Sequence, residues 1–515
     1  MLLLSLLLLP LIGAVVIAAL PNKGRQGVGK SAGKLAVFWS VIPVFLVATI
    51  GLGHLASNDG ILASWSLEWI PDADISLSFV VDGISWVFLL LTALVTLFVL
   101  AISIRFGFNG RGYYALILVM QSMLFGVFTA GHFIPFFLCW EMTLIPSYLL
   151  VRLWGGEGAP RAAMRFFIVT LFGGVCMLIG FLALQISVGT MDFSKLSAMA
   201  ANQELVAGVG QALESTGKDG YYILSVIAFC VFLGLAVKIP VFPFHAWLPD
   251  AYAEAPTPVT LLLTGLLSKM GVYGLIRIFM MIFPEVLPGF APWLTTLAVI
   301  TVVLGAVAAL AQKDMKRILA YSSSNHLGYC VLAVAAVAAS TADRTAVSSS
   351  ISGVILQAFN HGIIASALFF SLGIFEQRTG GLRGIDDFGG LRAKAPVFCG
   401  LMGLALFASL GLPGLSGFVG EFLIFNGVFG LVPWAAAVSL IGLLLTAVFL
   451  LRLLRKVFLG PLPDKLESWS DISTSERMLF VPVIVLIVLL GIWPQAITHW
   501  INEDILRMLN LLITK

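Results

Sequence analysis

Apolar runs of about 20 residues, separated by short polar loops, recur from one end of the chain to the other. A helix rises about 1.5 Å per residue, so each run is long enough to cross roughly 30 Å of hydrocarbon. Inside lipid every backbone N–H and C=O must be satisfied within the spanning element, which leaves helices or closed barrels. The short alternating segments of a transmembrane barrel are not the pattern read here. The runs predict an all-α polytopic membrane protein with about fourteen transmembrane helices. They lie near 2–20, 36–56, 79–104, 113–129, 132–153, 163–188, 222–244, 257–282, 292–311, 318–340, 348–375, 396–427, 432–451 and 478–498. The first run lacks a basic leader and a small-residue cleavage site, so it is read as span one rather than a signal peptide.

Composition sharpens the class. Only 11% of the residues are charged and 60% are hydrophobic, against about 25% charged in soluble domains. The net charge of +3 is small, but its placement is informative. With the loops numbered alternately from an outer terminus, the inner loops carry 21 Lys and Arg, from Lys23, Arg25 and Lys34 through Arg161, Arg317 and Arg392 to Arg455 and Arg477. The outer loops between spans carry Lys195, Lys218 and Arg344. This positive-inside bias places both termini on the outer side. Five cysteines (Cys139, Cys176, Cys230, Cys330 and Cys399) stand singly in apolar runs and read as small buried hydrophobes. No paired-cysteine or glycine-rich nucleotide motif is present, so no metal, flavin or nucleotide site is expected in this chain. No nucleic-acid partner is expected either.

Two of the runs are interrupted. In the seventh, Lys238-Ile239-Pro240-Val241-Phe242-Pro243-Phe244-His245 places two prolines three residues apart, which removes two helix hydrogen bonds. In the twelfth, Leu410-Gly411-Leu412-Pro413-Gly414-Leu415-Ser416-Gly417 interrupts a similar run, and Glu421 follows. The breaks lie five spans apart, and five is odd, so the two segments are expected to cross in opposite directions. Interrupted helices in corresponding positions of two halves point to an inverted-repeat transporter. Simple kinks are the alternative, although the charges beside both breaks weigh against it.

A charge near the bilayer centre costs at least about 2.5–3.5 kcal/mol, so each intramembrane charge needs a reason. Glu141 has about nine apolar residues on either side and must face the bundle interior. It is expected either to be protonated or to pair with a cation from another span, and Lys238 is the candidate. Lys269 stands near the middle of span eight, too far from either end to snorkel. Glu421 follows the second break. His245, His326 and His361 are polar connectors, since an imidazole can accept a proton on one nitrogen and donate from the other. Thr170, Tyr148, Ser268 and Tyr321 are candidates to hold water between them. Arg277 is read as snorkelling, Asp250 and Glu254 as capping span eight or marking its entrance, and Asp82 as the N-cap of span three.

The segment Val237-Lys238-Ile239-Pro240…His245-Ala246-Trp247-Leu248-Pro249-Asp250, with Glu254-Ala255-Pro256-Thr257-Pro258 and Leu267-Ser268-Lys269-Met270-Gly271, resembles the core of the proton-translocating antiporter-like subunits of complex I and of Mrp-type cation/proton antiporters. Phe137…Trp140-Glu141, Asp314…Lys316-Arg317…Ala320-Tyr321-Ser322-Ser323…His326 and His361-Gly362 extend the match from about residue 80 to 460. In the sister subunits of complex I, and commonly in Mrp proteins, a lysine follows the second break. The glutamate here, Glu421, is similar to the subunit M (chain 4) branch. Asn325 before His326 and Asn360 before His361 depart from the usual pattern and are expected to alter the hydration of the relay.

The resemblance implies N-terminal helices over 1–112, a first antiporter-like repeat over 113–282 and a second, inverted five-helix repeat over 292–456. A loop, helix 14 and the C-terminus follow over 457–515. It implies proton translocation along Glu141, Lys238, Lys269, His245, His326, His361 and Glu421 by a non-redox subunit of NADH:quinone oxidoreductase. Partner subunits would carry FMN, iron–sulfur clusters and the quinone site, and the neighbours would be other membrane-arm subunits, including sister antiporter-like ones. The setting implied is a bacterial cytoplasmic membrane. A Mrp-type antiporter, or a membrane subunit of a related hydrogenase or carbon-uptake complex, is the alternative.

Overall fold

A computed structural model describes residues 1–21, 27–54, 60–212, 214 and 217–513. Lys23 and Arg25 lie outside the described residues. The first two helices are α1 (Leu2–Ala18) and α2 (Gly27–His54). A β-hairpin, β1 (Ile61–Ile70) and β2 (Ile75–Asp82), then leads into α3 (Gly83–Arg105). The strands pair antiparallel, with Trp65 opposite Phe79. Span three was expected to begin at 79, yet Phe79–Asp82 is strand. Asp82 ends that strand and caps α3, accepting from the Ser85 N–H at 2.9 Å.

Next come α4 (Arg111–Thr129), α5 (Phe133–Met142), α6 (Leu144–Trp154), α7 (Ala159–Val188), α8 (Phe193–Ala201), α9 (Glu204–Ala212), α10 (Gly220–Lys238) and α11 (Leu248–Glu254). Span five is thus two helices meeting at Thr143, four residues after which Ser147 turns its hydroxyl back onto the Thr143 carbonyl. Thr257–Ile282 is one long helix. Its α-helical pieces are α12 (Thr257–Leu262), α13 (Ser268–Gly274) and α14 (Met280–Ile282), joined by π turns at Leu263–Leu267 and Leu275–Phe279. All of its most apolar stretch is buried inside the protein.

The second half contains α15 (Leu287–Ala311), α16 (Met315–Ala339), α17 (Arg344–Thr379), α18 (Pro396–Ser409), α19 (Ser416–Leu431), α20 (Pro433–Phe458), α21 (Thr474–Ile492) and α22 (Gln495–Ile513). Among the described residues, 11 helices are long and apolar enough to cross a membrane. That is fewer than about fourteen apolar runs for physical reasons. Leu2–Ala18 is short, Pro396–Ser409 and Ser416–Leu431 are half-length, and α16 carries the polar run Ser322-Ser323-Ser324-Asn325-His326. The protein is integral to the membrane.

The two expected breaks are present. α10 stops at Lys238 and the chain does not become helical again until Leu248. α18 stops at Ser409 and α19 starts at Ser416. Gly411 and Gly414 sit between them at φ +77 and +90, a region costly for any residue with a Cβ.

Three sequence readings change. Arg277 does not snorkel to a free surface, because its guanidinium pairs with Asp82 at 2.6 Å. Asp250 does not cap span eight; it bridges Arg165 and Arg317 at 2.8 and 2.9 Å. Glu254 accepts from the Gly158 N–H ahead of α7 instead of capping span eight. At the hairpin end, Lys195 beside Asp74 holds that carboxyl below the usual carboxylate range, with the Thr190 hydroxyl adding to the effect.

Candidate functional site: a buried line of lysine, histidines and glutamate

Lys269 lies on α13 between the two π turns and is fully buried. A π turn inserts a residue into the helical register and redirects the side chains around it. The Lys269 Nζ donates to the Thr264 carbonyl and lies 2.7 Å from His361 Nδ1 and 3.4 Å from Ser268 Oγ. His361, on α17, brings its ring to 5.3 Å from the ring of His326 on α16. His326 Nδ1 is 3.1 Å from Glu421 Oε1 on α19. Ser409 Oγ lies 3.3 Å from His326 Nε2, and Gln357 Nε2 lies 3.4 Å from Nδ1. Four helices therefore each contribute one titratable group to a continuous line, and all four groups are buried.

An ammonium has donors only, so the imidazole beside Lys269 must present a lone pair on Nδ1 when the lysine is charged. His361 then carries its proton on Nε2. The same ring can take a proton from Lys269 at Nδ1 and release another from Nε2, which is the chemistry of a relay. His326 Nδ1 faces both the Glu421 carboxyl and the donating Gln357 amide, Ser409 serves Nε2, and Glu421 Oε1 itself has no hydrogen-bond partner.

Glu141 and Lys238 form a second, looser group. They make no direct ion pair, yet each acts electrostatically on the other. Glu141 Oε1 and Lys238 Nζ are both buried without a hydrogen-bond partner. The Lys238 ammonium sits 5.2 Å from the centroid of the Trp140 ring. His245 is half-buried, stacks on Phe242 with centroids 5.6 Å apart, and leaves its Nδ1 unpartnered. It is not hydrogen-bonded to any other member of the expected axis. The Thr170 hydroxyl bonds back to its own helix at Phe166.

The sequence does not reveal the part played by two glycines beside the carboxylates, and it marks Asn325 and Asn360 only as altering the hydration of the relay. Gly174 faces the Glu141 carboxyl and Gly411 faces that of Glu421, and a Cβ at either position would collide with it. Asn325 donates to the Val302 carbonyl of α15 at 2.8 Å, and Asn360 donates to the Ser416 carbonyl at the start of α19 at 2.7 Å. Both asparagines therefore fix neighbouring helices around the histidines. Their immediate precedence over each histidine was the only signal. Among the described residues, no three His, Cys, Asp or Glu side chains converge as a metal site.

Residues 130–446 match the family model described as NADH:quinone oxidoreductase/Mrp antiporter, transmembrane. NADH-quinone oxidoreductase subunit M of Rickettsia typhi is 31% identical over 98% of this chain and 97% of its own length. The protein of the same name from Rhodobacter capsulatus is 32% identical over 98% and 95%. Among solved structures, a chain of respiratory complex I from Thermus thermophilus with bound NADH superposes with a TM-score of 0.84 at 27% identity, covering 99% of this chain and 100% of that one. A chain of the Mrp complex from Dietzia shares the fold, with a TM-score of 0.80, 21% identity and 99% of each chain covered. With more than half its length matched by the family model and nearly all of it by these relatives, the chain belongs to the NADH:quinone oxidoreductase/Mrp antiporter transmembrane family.

Proposed function

We propose that this chain is the proton-translocating membrane-arm subunit M (chain 4) of an NADH:quinone oxidoreductase, and that its protons move along the buried Lys269–His361–His326–Glu421 line. The observation that carries the reading is the spacing of that line, 2.7 Å from Lys269 to His361 and 3.1 Å from His326 to Glu421, with the two rings 5.3 Å apart between them. Such distances suit proton transfer directly or through one water. Glu141 and Lys238 supply the variable end. When the partner charge moves, the free energy of a charged lysine in a low-dielectric site changes steeply. Lys269 would then lose or regain its proton, and Glu421 would pass it outward.

This reading includes two inverted repeats, 113–282 and 292–456, each with one of the two broken helices. His245, at the first break, would be a lateral connector. Glutamate rather than lysine at 421 favours the subunit M branch over the Mrp antiporters. The electrons are handled by partner subunits bearing FMN, iron–sulfur clusters and the quinone site. The setting is a bacterial cytoplasmic membrane with both termini outside.

The test is His326→Ala in the assembled complex, in sealed membrane vesicles. NADH-driven proton uptake is expected to fall by at least about tenfold, since a positioned acid–base group contributes two or more orders of magnitude. Full pumping by a correctly assembled variant would overturn the relay.

A further inference from the structure

A cavity of about 740 Å³ opens at the basic-loop end, between Trp154–Gly158, Ala253–Thr257 and the end of α17. Lys316, Glu376 and Arg383 line it. Lys316 Nζ pairs with Glu376 Oε1 at 2.9 Å and donates to the Ala255 carbonyl at 3.0 Å. Arg383 lies 3.9 Å from the same Glu376 oxygen, bonds the Ala253 carbonyl and pairs with Asp314 at 3.2 Å. The other Glu376 oxygen accepts from the Thr257 hydroxyl at 2.6 Å. Glu157 and Glu254 are the remaining charged groups around the cavity. Lys316 is 3% exposed at its side chain, whereas Glu376 is 22% exposed. A lysine is thus buried behind a carboxylate that still reaches the cavity.

Thr257 is the first residue of the helix that carries Lys269. Thr260, Thr264 and Ser268 follow at spacings of three and four, so a row of hydroxyls runs along that helix, through the π turn at Leu263–Leu267, up to Lys269. All four are buried in an otherwise apolar helix. Thr264 Oγ1 lies 3.1 Å from Ser323 Oγ, and Ser268 Oγ is 3.4 Å from Lys269 Nζ. The fully buried phenol of Tyr252 lies beside the Thr264 and Ser268 hydroxyls. Such a buried cluster of hydroxyls suits a place where water is held in passing.

We propose that the cavity is the mouth of the proton inlet to Lys269, that the Lys316–Glu376 pair is its gate, and that the Thr257–Thr260–Thr264–Ser268 face with Tyr252 is the conduit. This rests on the relay described above and supplies its upstream half. A hydronium in the cavity gives its proton to the Glu376 carboxylate and leaves as water. Glu376, now neutral, loosens its hold on Lys316 and reverses the Thr257 hydrogen bond, with Thr257 accepting. The proton then passes from Glu376 through Thr257 and water to Ser268 and a neutral Lys269, and Glu376 returns to its charged pair. One proton is gained at Lys269 for each one taken from the cavity.

The experiment uses the assembled complex in vesicles with the five native cysteines replaced and Thr260→Cys added. A membrane-impermeant, positively charged thiol reagent is applied to one face or the other. Labelling is expected from the NADH-binding face alone, and at least about tenfold faster when Glu376→Gln opens the gate. NADH-driven proton uptake should fall in Glu376→Gln and largely return in Glu376→Asp, a rescue that a purely structural pair would not show. Should Glu376→Gln fail to assemble, Thr257→Val removes the hydroxyl at constant shape and should slow uptake. Labelling from the opposite face, or at one rate with and without Glu376, overturns the inlet. Because labelling needs no turnover, that result is distinct from a failure of the His326 relay.

Discussion

The two ends of the buried charge axis are bonded in opposite ways. Around His326, Glu421, Ser409 and Gln357 approach to 3.1, 3.3 and 3.4 Å with the His361 ring 5.3 Å away, and Asn325 and Asn360 hold the surrounding helices by their carbonyls. Around Lys238 the ammonium has a ring face and no acceptor, and the Glu141 carboxyl is half-buried with one oxygen unpartnered. A carboxylate–ammonium pair without hydrogen bonds is governed by distance alone, and in a low-dielectric interior that dependence is steep. The Lys238 end is therefore suited to register a shift of charge, the His326 end to hand a proton along fixed geometry. The difference also suggests which mutations should be all-or-none and which should be graded.

The largest effect is expected at the rigid end. Lys269→Ala should reduce NADH-driven proton uptake by at least about tenfold, and Lys269→Arg should not restore it, because an arginine does not give up its proton. Vesicle acidification measured on purified, intact complex decides this. At the loose end, Glu141→Ala or Lys238→Ala should lower both pumping and coupled NADH oxidation while leaving assembly intact. Normal coupled turnover in an assembled Glu141→Ala complex would remove that end from the mechanism. Glu421→Gln should be harmful and Glu421→Asp milder, since aspartate keeps the proton site but moves it back from His326. Equal rates for the two variants would mean that charge, not reach, is what matters there.

A smaller change is expected from Asn360→Ala. The lost bond to the Ser416 carbonyl is worth about 1 kcal/mol, seen as earlier thermal unfolding with pumping reduced only in part. The smallest concerns the hairpin end. Lys195 depresses the Asp74 pKa, so that ion pair contributes fully above the ordinary carboxylate value, near 4, and is lost as pH falls below it through the depressed folded value. Both side chains are well exposed, which limits the contribution to about 1 kcal/mol or less. Asp74→Asn at neutral pH should match the wild type at acid pH in hydrogen exchange of the hairpin amides.

What the sequence disclosed, and what it hid, follows from the range over which each feature is encoded. The breaks after Lys238 and Ser409 are written locally in Pro and Gly, and they were found. The π turns flanking Lys269 have no residue signature, so the apolar run 257–282 reads as a single span. The strand Ile61–Ile70 is too short to stand out in a chain dominated by long apolar runs. Arg277 looked like a snorkelling end residue because its partner Asp82 lies near the start of the chain. The adjacency of His326 and His361 could be suspected from their shared polar helices. Their link to Glu421, and the separation of His245 from both, required the packing of helices distant in sequence.

The contact between α22 and the start of α3 sets an order of events in the making of this protein. The Asp504 carboxylate accepts from the Ile84 N–H at 3.0 Å, Trp500 stacks on Trp86 at 4.3 Å, and the Trp500 carbonyl rests where Gly83 has no side chain. α22 leaves the ribosome after every other described helix. The hairpin-to-α3 junction must therefore wait, inserted but unsealed, through the synthesis of the whole bundle. A nascent chain arrested before residue 495 would leave this junction open to proteolysis while the remaining helices are already in the membrane.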